Sequence, residues 1–354
     1  MSKNILLLVD GSSYLYRAYH AMPDLRGPDG FPTGAIHGMV AMMKRLREQV
    51  MGSGRDAPMG HAACVFDAHG PTFRDEWYAE YKAQRAPMPE DLRLQIPAIH
   101  EVVKLLGWPV LEVPGIEADD AIGTLARVGA AAGHRVIVST GDKDLAQLVT
   151  DQVTLINTMS NETLDIAGVK AKFGVTPELV VDYLTLVGDT VDNIPGVDKV
   201  GPKTAAKWLA EHGSLDGVIA AAGTIKGATG ENLRRALDWL PQGKRLVTVL
   251  TDCDLTGQLP GWPGVEGLAL QPVDQAGLLD FYRRFGFRAW REELEGKLGA
   301  PAAVSAAVSA AVSTRSSPNG PGLFDAEVPA PDGAASMDSP ADPPLGGRAE
   351  VARH

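Results

Sequence analysis

Short runs of consecutive apolar residues alternate with longer amphipathic stretches over the first half of the chain. Runs such as Ile5-Leu-Leu-Leu-Val are typical of strands that are buried on both faces of a parallel sheet. Apolar residues at helical spacing, as from Ile36 to Leu46, predict helices between them. This alternation favours an α/β fold with a mostly parallel sheet and helices on both faces. We expect strands at 4–9, 62–66, 136–139 and 153–157 and helices at 35–50, 96–106 and 119–132.

The pattern changes twice further along the chain. Residues 175 to about 290 are predicted to be mostly helical, with an apolar helix at 179–187 and a turn feeding a helix at 196–209. Beyond Gly299 the sequence is rich in Ala, Ser, Pro and Gly and holds eight of the 25 prolines, so it is expected to be a disordered linker or tail. We therefore predict an α/β domain at 1–174, a helical subdomain at 175–298 and a tail at 299–354.

Residues 71–100 mix basic and aromatic side chains with little apolar face. Arg74, Lys82 and Arg85 lie among Trp77 and Tyr81, and prolines interrupt the stretch. This composition predicts a mobile helical segment that contacts a ligand.

Acidic residues follow three of the predicted strands, as Asp10, Asp67 and the pair Asp142 and Asp144. Ligand sites of parallel α/β sheets lie beyond the carboxyl ends of the strands, so these acids are expected to lie close together. A further cluster, Glu117 to Asp120, holds three acids within four residues. Two like charges about 4 Å apart repel by roughly 4 kcal/mol at an effective dielectric constant near 20. The cluster either binds a divalent cation or is an acidic loop before a capped helix.

The candidate metal ligands are all carboxylates, and no His or Cys stands near them at ligand spacing, which argues against zinc. Oxygen donors suit Mg²⁺ or Mn²⁺. An excess of carboxylates over the needs of one ion predicts two ions, which together can clamp a phosphodiester. The chain has no Gly-rich Walker loop, which argues against an NTPase. The candidate ligands are Asp10, Asp67, Glu117, Asp119, Asp120, Asp142, Asp144, Asp189 and Asp192.

The turn and helix at 196–209 could contact a phosphate through glycine backbone and free helix N–H groups. Lys199, Lys203 and Lys207 recur every four residues and would add sequence-independent attraction. An amphipathic helix with surface lysines explains the same pattern.

Bulk composition narrows the class of protein. Two distant cysteines fit a reducing cytosol, and the N-terminal apolar run is too short for a signal peptide or a membrane span. We expect a cytoplasmic monomer without a membrane partner. The net charge of −11 is unusual for a nucleic-acid protein, but the tail contributes −3 and the nine candidate ligands outweigh the remaining −8. The overall acidity therefore leaves room for a basic DNA-binding surface.

Several short motifs occur in the order found in one known family. They are Asp10-Gly-Ser-Ser-Tyr-Leu-Tyr-Arg-Ala, Phe66-Asp-Ala, Thr72-Phe-Arg, Tyr81-Lys, Glu117-Ala-Asp-Asp, Thr140-Gly-Asp-Lys-Asp, Gly188-Asp and Asp192-Asn-Ile-Pro-Gly. From about residue 4 to 290 the sequence resembles the 5′ nuclease family, which includes the nuclease domain of bacterial DNA polymerase I and the flap endonucleases.

The resemblance implies a PIN-like (resolvase-like) α/β fold, a helical arch at about 71–100 and a helix–three-turn–helix DNA-binding element at about 184–212. It implies 5′→3′ exonuclease and flap endonuclease activity on DNA with a 5′ flap, nick or 5′ end and on RNA–DNA primers. By motif position, the first metal ion would be held by Asp10, Asp67, Glu117 and Asp119. The second would be held by Asp142, Asp144 and Asp192, with Asp120 and Asp189 nearby or ligating through water.

The resemblance also assigns substrate contacts. Lys82 and Arg85 match a basic pair that contacts the scissile phosphate, and Arg17, Arg74 and Tyr81 match further DNA contacts. The turn at 196–201 matches a loop that binds a monovalent cation, K⁺, and a duplex phosphate in relatives. The DNA-binding residues of this element are Gly196, Lys199, Gly201, Lys203, Thr204 and Lys207.

Two departures from the family pattern stand out. Family turns usually read Gly-hydrophobic-Gly, whereas Lys199 takes the place of the first glycine, and a lysine adopts positive φ only at a cost. Pro202 replaces the usual acidic residue, although proline suits the first position of a helix. No polymerase sequence follows the tail, so we expect either a separate nuclease or a truncated polymerase. The alternatives are a non-catalytic junction-binding protein of the same fold and a PIN-type ribonuclease.

Overall fold

A computed structural model describes residues 4–52 and 59–299 of the chain. Six strands form one sheet: β1 (Ile5–Asp10), β2 (Met59–Phe66), β3 (Val110–Glu112), β4 (Arg135–Ser139), β5 (Val153–Asn157) and β6 (Glu162–Leu164). Their order is β3-β2-β1-β4-β5-β6, in which the first five are parallel and β6 is antiparallel to β5. The predicted α/β class and mostly parallel sheet are confirmed.

Helices cover both faces of the sheet because its central strands place apolar residues on both faces. In β1, Leu6 and Leu8 contribute to one hydrophobic cluster, while Ile5 and Leu7 contribute to a second cluster on the opposite face. Ile122, on the sixth helix, packs in the first cluster. The helices up to the end of the α/β part are α1 (Gly11–Ala21), α2 (Gly34–Gly52), α3 (Phe73–Trp77), α4 (Glu90–Arg93), α5 (Ile96–Leu105), α6 (Ala118–Ala131) and α7 (Ile166–Phe173).

The later part of the chain is helical apart from a two-stranded antiparallel pair, β7 (Gly188–Asp189) with β8 (Ile194–Pro195). Its apolar residues share the first hydrophobic cluster with the sheet, so residues up to Gly299 form one compact unit. The predicted boundary at residue 174 stays a prediction. The helices are α8 (Val180–Val187), α9 (Pro202–His212), α10 (Leu215–Ala220), α11 (Gly227–Ala236), α12 (Leu240–Val247), α13 (Gln275–Phe285) and α14 (Arg288–Gly299).

The segment at 71–100 contains α3, a run of turns, α4 and the beginning of α5. Thr72 and Asp75 form a capping box that fixes the start of α3. Residues 79–84 are in turns. The predicted helical character therefore holds for the two ends of the segment, and its middle is a turn.

The predicted tail begins at residue 299, and from Ala300 onward it lies outside the described residues. Across residues 4–52 and 59–299, no helix is long and apolar enough to cross a membrane.

Candidate metal centre

Three strand-end acids meet at the carboxyl edge of the sheet. Strands β2, β1 and β4 are neighbours and run parallel, so Asp10, Asp67 and Asp142 follow adjacent strand ends. Asp10 accepts hydrogen bonds from the Ser13 amide at 2.8 Å and from the Thr140 hydroxyl at 2.7 Å. The topology thus brings together acids that are up to 132 residues apart in sequence.

The N-terminus of α6 adds more carboxylates to this edge. Asp67 accepts a hydrogen bond at 2.8 Å from the Ala118 amide, which is the first residue of α6. Burial raises the pKa of Asp119 well above its ordinary value. Four neighbouring carboxylates add to this increase: Asp10, Asp142, Asp67 and Glu117.

The pKa of Asp10 is raised for the same reasons. Burial raises its pKa to about 7, and the charges of Asp142 and Asp67 add to the rise, while its hydrogen bonds from Ser13 and Thr140 oppose it. Such mutual repulsion is what a divalent cation relieves, because it interacts favourably with the ionised form of each ligand.

A second group of acids surrounds Lys143. Burial raises the pKa of Asp144 to about 7, the charges of Asp142 and Asp189 add to it, and Lys143 opposes it. Lys143 Nζ lies 3.3 Å from Asp144 Oδ1 and also pairs with Asp189 Oδ2. Burial works against ionisation of Asp189, yet the bond from Lys143 lowers its pKa below the ordinary value.

The turns of the 71–100 segment dock on the remaining candidate ligands. Lys82 Nζ lies 2.6 Å from Glu117 Oε1 and 3.7 Å from Asp192 Oδ2. Tyr81 donates its hydroxyl proton to Glu117 at 2.9 Å or Asp192 at 3.0 Å, and Arg85 pairs with Asp192. The Lys82 amide also donates to the Asp192 carbonyl at 3.0 Å. The predicted phosphate-contacting residues thus lie directly over the acids.

The ion pairs and hydrogen bonds of these acids determine whether the acids could hold a metal ion in this arrangement. Within the described ranges 4–52 and 59–299, no three His, Cys, Asp or Glu side chains are arranged to hold a metal ion. Both oxygens of Glu117 accept from Lys82, Tyr81 or Arg74. The donor chemistry nevertheless fits Mg²⁺ or Mn²⁺, because the group is all-oxygen, partly buried and more negative than its local cations balance.

Two residues whose roles came with the resemblance are paired with each other in the interior. Arg74 is only 3% exposed, and its predicted role as a direct DNA contact stays a prediction. Its guanidinium forms a two-pronged pair with Asp120 at 2.6 and 2.8 Å. Asp120, predicted as a metal ligand or its neighbour, is fully buried, and its oxygens also accept from the amides of Glu117 and Leu250. Asp120 is therefore a structural partner of Arg74, because its lone pairs are already used.

Tyr81 and Arg17 occupy different surroundings from each other. Tyr81 is 5% exposed, so its hydroxyl is available to the acids below it more than to solvent. Arg17 donates to the Asn157 side chain at 3.0 Å and lies against Gly141, where an added Cβ would be 1.6 Å from its Nη2. Gly141 thus leaves room for Arg17 beside the strand-end acids.

The turn before α9 keeps a glycine-like backbone without the glycine. Lys199 has φ of 62°, in the left-handed region, and the Val200 amide closes the turn on the Val197 carbonyl at 2.9 Å. The conformation expected to be costly for lysine is therefore adopted. Gly196 packs on the α8 end so closely that a Cβ would lie 2.3 Å from the Val187 carbonyl carbon.

One face of α9 is basic and exposed, and the other is buried. Lys203 and Lys207 are exposed and Thr204 is partly exposed, while Trp208 and Leu209 are buried. Gly201 is the N-cap, with an extended backbone. These residues form an open basic face, and its contact with DNA stays a prediction.

Sequence reasoning missed two participants in the site. Thr140 binds Asp10, and Lys143 pairs with Asp144 and Asp189. Both belong to Thr140-Gly-Asp-Lys-Asp, so a lysine between two candidate ligands was the available signal.

Two family domains match this chain in succession. The 5′-3′ exonuclease N-terminal resolvase-like domain matches residues 5–174, and the 5′-3′ exonuclease C-terminal SAM fold matches residues 175–270. Among solved structures, T5 5′-exonuclease with bound divalent metal ions (zinc) aligns with a TM-score of 0.58 at 20% identity, over 69% of this chain and 89% of that one. The catalytic core of Rad2 in complex with DNA substrate aligns with a TM-score of 0.55 at 16% identity, over 85% and 93%. At these identities, both comparisons show the fold.

Relatives at higher identity are longer or shorter than this chain. DNA polymerase I of Pseudomonas aeruginosa is 48% identical over 309 residues, which is 83% of this chain but 32% of that protein. The chain thus spans about a third of the polymerase. The 5′-3′ exonuclease of Aquifex aeolicus is 44% identical over 214 residues, which is 60% of this chain and 72% of that protein. The chain therefore belongs to the 5′-3′ exonuclease family.

Proposed function

We propose that this chain is a structure-specific 5′ nuclease that hydrolyses phosphodiester bonds at 5′ ends and 5′ flaps of duplex DNA, including RNA primers. The observation that carries the proposal is the meeting of Asp10, Asp67 and Asp142 at the ends of three neighbouring parallel strands. Membership in the 5′-3′ exonuclease family supports it.

The acids would hold two Mg²⁺ ions, and Mn²⁺ has the same ligand preference. When bound, the ions lower the pKa of water and neutralise charge on the phosphodiester and its leaving oxygen. Hydrolysis adds one water across a P–O bond and leaves a phosphate monoester and a hydroxyl. The first set of ligands is Asp10, Asp67, Glu117 and Asp119. The second is Asp142, Asp144 and Asp192, with Asp189 beside them.

Lys82 and Arg85 would position and neutralise the scissile phosphate. Both now neutralise carboxylates, Lys82 that of Glu117 and Arg85 that of Asp192. A phosphate lying over these acids would face both cations at once, and charged hydrogen bonds to phosphate are among the strongest that a side chain makes. Their location over the acids supports a role in the chemical step.

The turn at 196–201 and the start of α9 would hold duplex DNA. Lys199, Lys203 and Lys207 are exposed, and phosphate attraction of this kind does not depend on base sequence. Because Lys199 keeps the left-handed backbone that a glycine would have, we propose that the turn retains the K⁺ site of relatives. We further propose that the chain acts with a DNA polymerase, linked or separate, because its relatives include DNA polymerase I.

The decisive experiment uses a duplex with a labelled 5′ flap, incubated with Mg²⁺. We expect cleavage near the flap junction by the wild-type protein and none by Asp67→Asn. This substitution removes the charge but keeps an oxygen that can accept from the Ala118 amide, so the start of α6 stays supported. Gly296→Ala is a suitable control, which should cut like the wild type, because an added Cβ at Gly296 meets no other atom within 4 Å. Gly133→Ala is unsuitable because Gly133 has φ of 87°, which strains an alanine.

The same experiment separates the alternatives. Tight flap binding without cleavage would favour the non-catalytic junction-binding protein. Cleavage confined to single-stranded RNA would favour a PIN-type ribonuclease. Either result would reject the proposed function.

A further inference from the structure

A surface cavity of about 510 Å³ lies between the loop that follows α1 and the junction of α13 with α14. Eight residues line it, none of them is acidic and four are arginines. The whole chain has a net charge of −11, so this concentration of positive charge opposes the average. We call it the arginine cavity, and its arginines are Arg26, Arg283, Arg288 and Arg291.

Close backbone contacts fix the wall of the arginine cavity. Gly286 ends α13 with φ of 77°, which lets the chain turn at once into α14 and places arginines from both helices on one cavity. A Cβ on Gly286 would lie 3.0 Å from Pro28, and a Cβ on Gly27 would lie 2.9 Å from the Phe285 carbonyl oxygen. The loop and the helix junction are therefore in direct contact, and this packing defines the shape of the cavity.

The arginines of the cavity have N–H donors that are unpaired or only weakly paired. Arg26 pairs with Asp24 and Asp91, and all three side chains are at least 41% exposed. Within the part of the chain that the structure describes, Arg288 has no side-chain partner. Arg291 Nε lies 3.6 Å from Glu295 and has no hydrogen-bond partner.

Arg283 completes the set with a similarly weak partner. It pairs with Asp280 at 2.6 Å, but the two side chains are 61% and 78% exposed. Exposed pairs of this kind contribute little to stability because solvent screens both charges. An incoming anion would therefore displace little, and the planar guanidinium matches the geometry of phosphate oxygens.

We propose that the arginine cavity binds backbone phosphates of the DNA substrate, as a contact additional to the metal centre and the α9 face. The identity of the ligand rests on the proposed function, which brings DNA to this protein. Three of the four arginines lie beyond residue 270, where the match to the family domains ends.

The distance to the metal centre is one that a duplex covers. From Asp10 to Met22 the chain is the helix α1, which rises about 18 Å at 1.5 Å per residue. Four further residues add at most about 14 Å to Arg26. Arg26 therefore lies within about 32 Å of Asp10, which is the length of roughly nine base pairs at 3.4 Å each.

The test measures DNA binding without cleavage. A fluorescent 5′-flap duplex is titrated with protein in EDTA, and the anisotropy gives Kd at several salt concentrations. For the double variant Arg288→Gln/Arg291→Gln we expect the slope of log Kd against log salt to fall by about 2, since each phosphate contact contributes about 0.9. At 0.1 M salt we expect binding at least about tenfold weaker.

Two controls isolate the cavity. Arg284→Gln removes a neighbouring arginine that pairs with Glu101 instead and does not line the cavity, so its slope should equal that of the wild type. The double lysine variant Arg288→Lys/Arg291→Lys keeps both charges and should keep the slope. Equal slopes for the wild type and the glutamine double variant would overturn the proposal.

A titration with inorganic phosphate distinguishes DNA phosphates from a free phosphate ion as the ligand of the arginine cavity. If phosphate alone binds the wild type but not the glutamine double variant, and the DNA slope is unchanged, the cavity is a site for a free anion and the DNA proposal is wrong. The binding test can also be told apart from a failure of the proposed nuclease function. A protein that cuts no flap yet loses salt dependence in the glutamine variant would retain the arginine cavity as a DNA site.

Discussion

Replacing Arg74 by methionine tests whether this residue stabilises the fold or contacts substrate. The guanidinium binds Asp120 at 2.6 and 2.8 Å and Glu117 at 3.3 Å, all within the buried interior. It also donates to the carbonyls of Leu246 at 3.0 Å and Thr248 at 2.8 Å. Methionine keeps an unbranched apolar chain in this space and removes every one of these hydrogen bonds.

The expected loss of stability is large because Asp120 would remain buried without its cation. Removing one partner of a buried ion pair costs about 3–5 kcal/mol. The two carbonyls that lose donors would add to this, but contributions within one network do not sum. We therefore expect the free energy of unfolding to fall by about 4 kcal/mol, out of the roughly 5–15 kcal/mol typical of a folded protein.

Urea unfolding followed by tryptophan fluorescence measures this change, and two further variants interpret it. Arg284→Met removes an arginine whose pair with Glu101 is about half exposed, and should cost less than about 1 kcal/mol. The double variant Arg74→Met/Asp120→Leu removes both charges and should recover part of the loss, because no uncompensated carboxylate remains.

A stable variant that binds the flap weakly would be the opposite outcome. If Arg74→Met unfolds within about 1 kcal/mol of the wild type and instead weakens flap binding, then Arg74 is a substrate contact. The buried network would then contribute little to stability, and the assignment implied by the family resemblance would stand.

Three further predictions concern the site itself. Asp67→Ala and Asp142→Ala should each abolish flap cleavage in Mg²⁺ while flap binding in EDTA survives; normal turnover in either variant would reject its role as a metal ligand. Lys82→Ala should slow single-turnover cleavage more than it weakens binding, because its ammonium lies over Glu117 at the acids, and an unchanged rate constant would exclude its phosphate contact. Lys199→Gly should raise the free energy of unfolding by about 0.5–1 kcal/mol, since glycine adopts positive φ at no steric cost. Its measure is the urea midpoint, and Lys199→Ala, which keeps a Cβ, should show no gain.

The position of the strand-end acids was predictable because parallel topology leaves few choices. A continuous apolar run is buried on both faces, its end must lie at the carboxyl edge, and the acid that follows it lies there too. Asp10 and Asp67 meet for this reason. Strand β3 was missed because Val110–Glu112 is only three residues long, too short for any pattern of periodicity.

Lys199 shows where a local cost is overridden by the rest of the fold. Positive φ costs an L-residue with a Cβ about 1–2 kcal/mol, so the sequence argued against a glycine-like turn. The turn is held at both sides, by the Val200–Val197 hydrogen bond and by Asn232, which binds the Asp198 carbonyl at 2.7 Å. The contact with Asn232 joins residues 34 positions apart, and local propensity does not contain it.

The acidic cluster at 117–120 combines both explanations that its sequence left open. Glu117 and Asp120 are three residues apart, the spacing of a capping box, and the structure forms one: the Asp120 side chain binds the Glu117 amide at 3.2 Å. Burial raises the pKa of Asp119 instead, and the charges of the strand-end acids add to the rise. The capping spacing could have separated Asp120 from the ligands. Its partner Arg74 could not have been found in that way, because the pair joins segments 46 residues apart. An ion pair between distant segments follows only from the packing of α3 and α6, which no local pattern predicts.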